Sequence, residues 1–108
     1  MFADDPRRID ARDHEMIRLL LQSAAFVRGA RRLVKKHPEV VPTLEATLGA
    51  LMEDAFQAGL KTHKLKGELA GSWACSVGYD LRLIFDFVEH EGAEAILLQN
   101  VGTHDEVY

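Results

Sequence analysis

The sequence predicts an α+β domain in which two helices pack on one face of a curved, mostly antiparallel four-stranded sheet, in the order β-α-α-β-β-β. Apolar residues recur at helical spacing up to about residue 59 and at strand spacing beyond it. Glycines at 67, 71, 78 and 92 punctuate this second half. A chain of 108 residues with 47% hydrophobic content is long enough for one small core, so we expect a single domain.

The first 15 residues differ from the rest of the chain. They are polar, mixed in charge and without a sustained apolar period, so we expect residues 1–15 to form a flexible extension and the domain to span 16–108. The domain starts with a short apolar run at 16–21, which is followed by the helix-capping residue Ser23. This combination predicts a buried strand that leads into a helix.

Two amphipathic helices are predicted next. Between Ser23 and about Lys36, one stripe at helical spacing carries Phe26, Ala30, Leu33 and Val34, while most cations take the other side. Pro38 and Pro42 interrupt this pattern and begin a second one, which continues to Gly59. The second stripe consists of Leu44, Leu48, Leu51, Met52, Ala55 and Phe56.

Three strands complete the predicted order. Residues 72–77 form the first, and 78–80 turn the chain into the second, at 81–88. In that strand the apolar residues alternate, with Leu83 and Phe85 on one face and Arg82 on the other. After a turn at 90–92, residues 95–101 are apolar on both sides in their first half, which is typical of a central strand.

The net charge of −4 argues on average against a nucleic-acid partner. The charge is segregated, however: residues 16–37 carry six cations and no acid, and residues 59–82 carry four cations against two acids. Such blocks are either solvated surfaces or local binding sites for a polyanion.

Other classes of protein are excluded by composition. One cysteine cannot form an internal disulfide or a Cys-rich zinc cluster, and we interpret Cys75 as a small buried apolar residue. The chain shows no signal peptide and no apolar run of membrane length, so we expect a cytoplasmic protein without a membrane partner.

Several polar residues near strand ends are not explained by packing. Arg82 and Asp80 are two residues apart, which would place a guanidinium beside a carboxylate on one strand face, as a functional pair or as an ordinary surface salt bridge. The strand at 95–101 is followed by a predicted loop at 102–105, in which Gly102 permits a sharp turn and His104 is either a proton-transfer group or a solvated histidine. Tyr108 could stack on a base or fill a surface groove.

The segment before the second strand is a basic loop that ends in glycine. It contains His63, Lys64 and Lys66, which either hold a phosphate or form a solvated connection. Taken together, these residues fit RNA cleavage by internal transesterification, because that reaction needs a base for the 2′-hydroxyl, an acid for the leaving oxygen and a cation for the phosphorane. The reaction requires neither a metal nor another cofactor.

Four segments resemble the RelE/ParE superfamily of toxins from bacterial type II toxin–antitoxin modules, most closely the RelE/StbE and YafQ-like branch. The segments are 63–67, Trp73, 78–85 and 102–108, in this order. The resemblance covers about residues 16–108 and implies a RelE-like fold. It also implies an mRNA interferase that cleaves mRNA in the ribosomal A site and is silenced by a cognate antitoxin in a hetero-oligomer.

The resemblance also implies roles for individual residues. His63, Asp80 and His104 match catalytic positions of YafQ-like toxins, Arg82 matches a phosphate-binding arginine of other RelE relatives, and Tyr108 matches a terminal aromatic. The predicted catalytic set is therefore His63, Asp80, Arg82, His104 and Tyr108. The basic segments at 16–37 and 59–82 supply the predicted RNA-binding set, which is Lys64, Lys66, Arg31, Arg32 and Lys35. Two positions depart from the pattern, with Ser76 in place of a histidine or arginine and Phe85 in place of a tyrosine.

Three hypotheses remain open at this point. In the first, the protein is a nuclease in which Asp80 or His63 assists removal of the 2′-hydroxyl proton and His104 protonates the leaving group. In the second, it is a ParE-like toxin that binds DNA gyrase and cuts no RNA. In the third, it is a decayed toxin that keeps only antitoxin binding. The nuclease hypothesis predicts that segments 16–37 and 59–82 adjoin a cluster of His63, Asp80 and His104.

Overall fold

The computed structural model describes residues 18–108, in which a strand and two long helices are followed by four strands and a short C-terminal helix. The predicted extension at 1–15, and residues 16 and 17 of the predicted first strand, lie outside the described residues. The described elements are β1 (Leu19–Gln22), α1 (Ala24–Lys36), α2 (Val41–Glu53), β2 (His63–Lys64), β3 (Trp73–Val77), β4 (Leu81–His90), β5 (Ala93–Thr103) and α3 (His104–Val107).

The strands form one sheet in the order β1-β5-β4-β3-β2. β1 runs parallel to β5, and the other neighbouring pairs are antiparallel. The predicted fold class, two main helices on a mostly antiparallel sheet, is confirmed. The sheet has five strands where the sequence predicted four, because His63 and Lys64 pair with β3. A pair of only two residues has no alternation for a sequence pattern to reveal.

Helix α1 begins and ends as its sequence predicts. The Phe26 backbone N–H donates to the Ser23 side chain at 3.0 Å, which caps the first turn. The buried face consists of Phe26, Gly29 and Leu33, and it packs against β5. Lys35 and Lys36 occupy the last turn, where cations interact favourably with the helix dipole.

Gly29 permits an unusually close approach between α1 and β5. A Cβ at this position would lie 2.8 Å from Asn100 Oδ1 and 3.2 Å from the Val101 carbonyl oxygen. The Asn100 oxygen already accepts a hydrogen bond from the Val101 N–H at 2.9 Å, so moving it would cost that bond. The close packing of α1 against β5 therefore requires glycine at position 29.

We expect Gly29→Ala to destabilise the domain by about 1–3 kcal/mol, because the overpacking outweighs alanine's better helix propensity. Urea denaturation measures this. Gly49→Ala is the matched control, since nothing lies within 4 Å of the added Cβ in α2, and we expect it to stabilise the domain by up to about 1 kcal/mol. Equal stabilisation by both substitutions would contradict the close packing.

Helix α2 is shorter than its apolar stripe predicted. It ends at Glu53, and Asp54 adopts an extended conformation in which its carboxylate accepts from the Phe56 N–H at 3.0 Å. A side chain that bonds the backbone two residues on competes with the helical hydrogen bond and stops the helix. Ala55 is still buried, whereas Phe56 is 54% exposed, so the prediction of a helix to residue 59 was wrong.

The two faces of the sheet differ in what covers them. The helices cover the face that carries Leu83, Phe85 and Cys75, and burial raises the pKa of the Cys75 thiol to about 12. On the opposite face a smaller apolar cluster joins Ala74, Ile84 and Val107, with Leu65 packed against it. The C-terminal turn α3 thus lies on the face that the two long helices leave free. Within residues 18–108, no helix has both the length and the apolarity that a membrane span needs.

Candidate functional site

A shallow pocket lies on the sheet face opposite the two long helices. It has a volume of about 430 Å³ and is lined by His63, Leu65, Arg82, His104 and Tyr108. Four of the five predicted catalytic residues therefore line one pocket, although they come from β2, β4 and the C-terminal turn.

Strand alternation places Arg82 in this pocket. Arg82 is two residues from Ile84, which belongs to the small apolar cluster on the same face. Its register neighbours are Ser76 in β3 and Gly102 in β5, both small, so the guanidinium meets no bulky side chain beside it. Arg82 Nη1 donates to the Leu81 carbonyl at 2.9 Å, which leaves most of its N–H groups available for an anion.

His63 is held by its own neighbourhood in the chain. Its Nδ1 lies 3.0 Å from the Lys61 carbonyl oxygen, and Lys61 adopts a left-handed conformation (φ 54°). A carbonyl oxygen only accepts hydrogen bonds, so Nδ1 carries the proton in this contact. In the neutral ring Nε2 is then the unprotonated nitrogen, which is the form that a general base needs.

The C-terminal turn brings His104 and Tyr108 together. Their ring centroids are 4.5 Å apart in an edge-on arrangement, and the Tyr108 N–H donates to the His104 carbonyl at 3.0 Å. Between them, Val107 is buried and anchors the turn to the apolar cluster on this face. His104 itself is 70% exposed, with Nδ1 3.7 Å from the Asp105 carboxylate, so its ring is accessible to a ligand.

Tyr108 remains a neutral phenol near neutral pH. Partial burial raises the pKa of its hydroxyl above the ordinary value of 10, and the nearby Arg82 charge opposes this shift to a smaller extent. The phenol can therefore donate a hydrogen bond to a phosphate oxygen beside Arg82.

Asp80 does not line this pocket. It is exposed in the turn before β4 and lines a separate pocket of about 360 Å³, together with His37, Thr43 and Tyr79. Asp80 precedes Leu81, the first residue of β4, so the alternation of side chains along the strand does not extend to it. Strand pairing therefore does not place Asp80 on the same face as Arg82, as the sequence had predicted. Thr103 lines the Asp80 pocket and precedes His104, which makes the two pockets neighbours.

Two of the predicted RNA-binding lysines, Lys64 and Lys66, lie outside the pocket. Lys64 follows His63 in β2 and therefore points to the other face, where its Nζ lies 5.6 Å from the centroid of the Trp73 ring. Lys66 is exposed at the start of the short 3-10 turn Gly67–Leu69 and does not line the pocket. The structure does not bring either lysine to Arg82.

The basic end of α1 lies beside the C-terminal turn. Arg32 and Lys36 line a small cavity of about 80 Å³ with Glu106, and Arg31 and Lys35 are exposed on the same helix. Segment 16–37 was predicted to adjoin the site, and its residue Arg32 does lie beside the turn that carries His104.

Two residues that shape the C-terminal turn were not identified from the sequence, which predicted a loop at 102–105. Thr103 and Glu106 form a reciprocal capping box at the start of α3. The pattern Thr-x-x-Glu is a known signal for a helix start and could have identified this turn.

Within residues 18–108, no group of three or more His, Cys, Asp or Glu side chains is placed to hold a metal ion.

Comparison with known proteins adds a family and a set of structures. A family model described as "Bacterial toxin of type II toxin-antitoxin system, YafQ" matches residues 18–108. A comparison with curated proteins found no match.

Among solved structures, YafQ from E. coli strain BL21(DE3) has a TM-score of 0.71 at 19% identity and covers 84% of this chain and 98% of its own. YafQ in the E. coli DinJ-YafQ complex gives 0.68 at 20% identity, with 84% and 98% covered. A metal-bound toxin from Helicobacter pylori gives 0.69 at 26% identity, with 85% and 100% covered. These likenesses agree with the two helices and the sheet described above.

Proposed function

The chain belongs to the YafQ family of bacterial toxins of type II toxin–antitoxin systems, and from this premise we propose that it is an mRNA interferase. Its substrate is single-stranded mRNA held in the ribosome, and the reaction is transesterification by the 2′-hydroxyl. The products are a 2′,3′-cyclic phosphate and a free 5′-hydroxyl, because the nucleophile belongs to the RNA itself.

The observation that carries this proposal is the convergence of His63, Arg82, His104 and Tyr108 on one open pocket. Two imidazoles beside a guanidinium are the groups that proton transfer at a phosphodiester requires. A surface used only for binding another protein has no need for this combination. The open shape of the pocket also suits a polymer, which must enter from the side.

In the proposed mechanism, His63 Nε2 takes the proton of the 2′-hydroxyl. The hydrogen bond from Nδ1 to Lys61 favours the tautomer with a free Nε2, which supports His63 over Asp80 as the base. His104 gives a proton to the leaving 5′-oxygen. Arg82 stabilises the negative charge that develops on the phosphorane, and the Tyr108 phenol donates to the same oxygens or stacks on a neighbouring base.

The proposed partners are the ribosome and a cognate antitoxin. The related YafQ is found in a complex with DinJ, which supports an antitoxin for this chain as well. On the toxin side, cations at Arg31, Arg32 and Lys35 lie on the helix next to the C-terminal turn and are available for ribosomal or messenger RNA.

Addition of the purified protein to a translating extract, followed by mapping of mRNA 5′ ends, tests the proposal. We expect cuts at positions that follow the reading frame and that disappear with the double variant His63→Ala/His104→Ala. Intact mRNA together with inhibited DNA supercoiling by gyrase would instead support a ParE-like toxin. Intact mRNA with normal gyrase activity, but tight binding of the antitoxin, would support the decayed toxin.

A further inference from the structure

The C-terminal turn carries two residues of the candidate site but is only four residues long. Helices this short are marginal in isolation, because the hydrogen bonds that they gain do not offset the cost of ordering the backbone. His104 and Tyr108 must therefore be held in place by contacts outside the helical hydrogen bonds. One such contact, burial of Val107, fixes the end of the turn.

A second contact fixes the start of the turn. The Thr103 N–H donates to Glu106 Oε1 at 2.8 Å, and the Glu106 N–H donates to Thr103 Oγ1 at 3.3 Å. His104 lies between these two residues, so the reciprocal bonds set the backbone direction at the histidine itself. Glu106 also lies over Gly102, where a Cβ would be only 2.6 Å from Oε1.

The Glu106 carboxylate also faces the basic end of α1. It shares a small cavity with Arg32 and Lys36. The hydrogen bond from the Thr103 backbone lowers the pKa of Glu106 below its ordinary value of 4.5, and the charges of Lys36 and Arg32 lower it further. The carboxylate is therefore charged at neutral pH and is attracted to α1.

We propose that Glu106 is a positioning residue of the candidate site, which ties the C-terminal turn to its capping residue Thr103 beside the basic end of α1 and so fixes the places of His104 and Tyr108. Glu106 does not line the pocket, so it acts through His104 and Tyr108. The expected effect on RNA cleavage rests on the proposed function, whereas the positioning of His104 and Tyr108 is a property of the free protein.

Nuclear magnetic resonance of the free protein tests the positioning. The edge-on Tyr108 ring shifts the carbon-bound protons of the His104 imidazole, and the difference between wild type and Tyr108→Leu measures this effect. We expect Glu106→Ala to remove more than half of the difference. Glu106→Gln keeps an oxygen for the Thr103 N–H and is expected to retain most of it. Glu45→Ala, which removes one carboxylate from an exposed position of α2, is the matched control and is expected to retain all of it.

RNA cleavage gives the second measurement. A misplaced His104 lowers the rate of the chemical step, so we expect kcat of Glu106→Ala to fall about tenfold or more while KM changes little. Glu106→Gln is expected to recover most of the lost kcat. A purely stabilising role would lower Tm, by about 4–8 °C for loss of a cap, without this split between kcat and KM.

Two results would overturn the proposal: an unchanged His104–Tyr108 difference in Glu106→Ala, or equal losses in the alanine and glutamine variants. A wild-type protein that cleaves no RNA but shows the expected resonance changes would refute the proposed function and leave the positioning intact. The two proposals therefore fail through different measurements.

Discussion

His104→Ala is expected to lower kcat for RNA cleavage by about 10²–10⁴-fold, because it removes the proton donor for the leaving 5′-oxygen. The side chain is 70% exposed, and its loss opens no cavity in the core. Folding should therefore be unaffected, and the whole effect should appear in the chemical step. Single-turnover kinetics with excess protein on a ribosome-bound mRNA measures this step directly.

The matched control is His90→Ala, which removes a histidine from the far end of β4. Among the charged groups of residues 18–108, His90 contacts the Glu91 carboxylate, at 3.6 Å, and it lies outside the pocket. We expect its kcat to stay within about twofold of wild type. Cleavage by His104→Ala at more than a tenth of the wild-type rate would exclude His104 as the general acid.

The same assay distinguishes the two candidate bases. We expect His63→Ala to lose activity to an extent similar to His104→Ala, whereas Asp80→Asn should stay within about tenfold of wild type because Asp80 lines a different pocket. The reverse order would make Asp80 the base and would require the turn at 78–80 to move toward Arg82 when RNA binds.

Phe85→Ala is expected to have the largest effect on stability, about 3–5 kcal/mol. Phe85 is fully buried in the main core, and its ring meets the Phe87 ring edge-on with centroids 5.5 Å apart. Since a small domain has a free energy of unfolding of about 5–15 kcal/mol, this variant should lose a large part of its stability. Urea denaturation, with the slope m checked for a two-state transition, measures the change.

Phe56→Ala is the matched control for the loss of a phenyl ring. Phe56 is 54% exposed and contacts Trp73 and Phe87 at centroid distances of 5.3 and 5.7 Å. Because much of its surface stays in water, we expect a loss of only about 1 kcal/mol. A loss at Phe56 equal to that at Phe85 would contradict the assigned core.

Local patterns predicted the long elements well. Ser23 capped α1 as expected, and the alternation in β4 placed Phe85 in the core. Patterns failed where a single side chain bonded its neighbouring backbone. Asp54 ended α2 early, and the capping box of Thr103 and Glu106 turned an expected loop into a helical turn.

The candidate site depended more on long-range placement. The residue types at His63, Arg82, His104 and Tyr108 were readable from the chain, and the structure places all four around one pocket. Asp80 and Lys64 have equally suitable chemistry, but Asp80 lines another pocket and Lys64 lies on the other face of the sheet. No residue type distinguishes these cases, because strand register and the bounds of a turn decide which way each side chain points.

The fold class, the basic character of α1 and the set of residues suited to acid–base chemistry were predictable from the sequence, since periodicity, charge and side-chain type are local properties. Which of these residues lie together depends on the tertiary structure. In the structure β2 forms the edge strand of the sheet, and the alternation of its side chains places His63 and Lys64 on opposite faces. The C-terminal turn packs on the face that the long helices leave free. The physical reason is that contacts between segments far apart in the chain depend on the whole sheet and its core, which no local pattern contains.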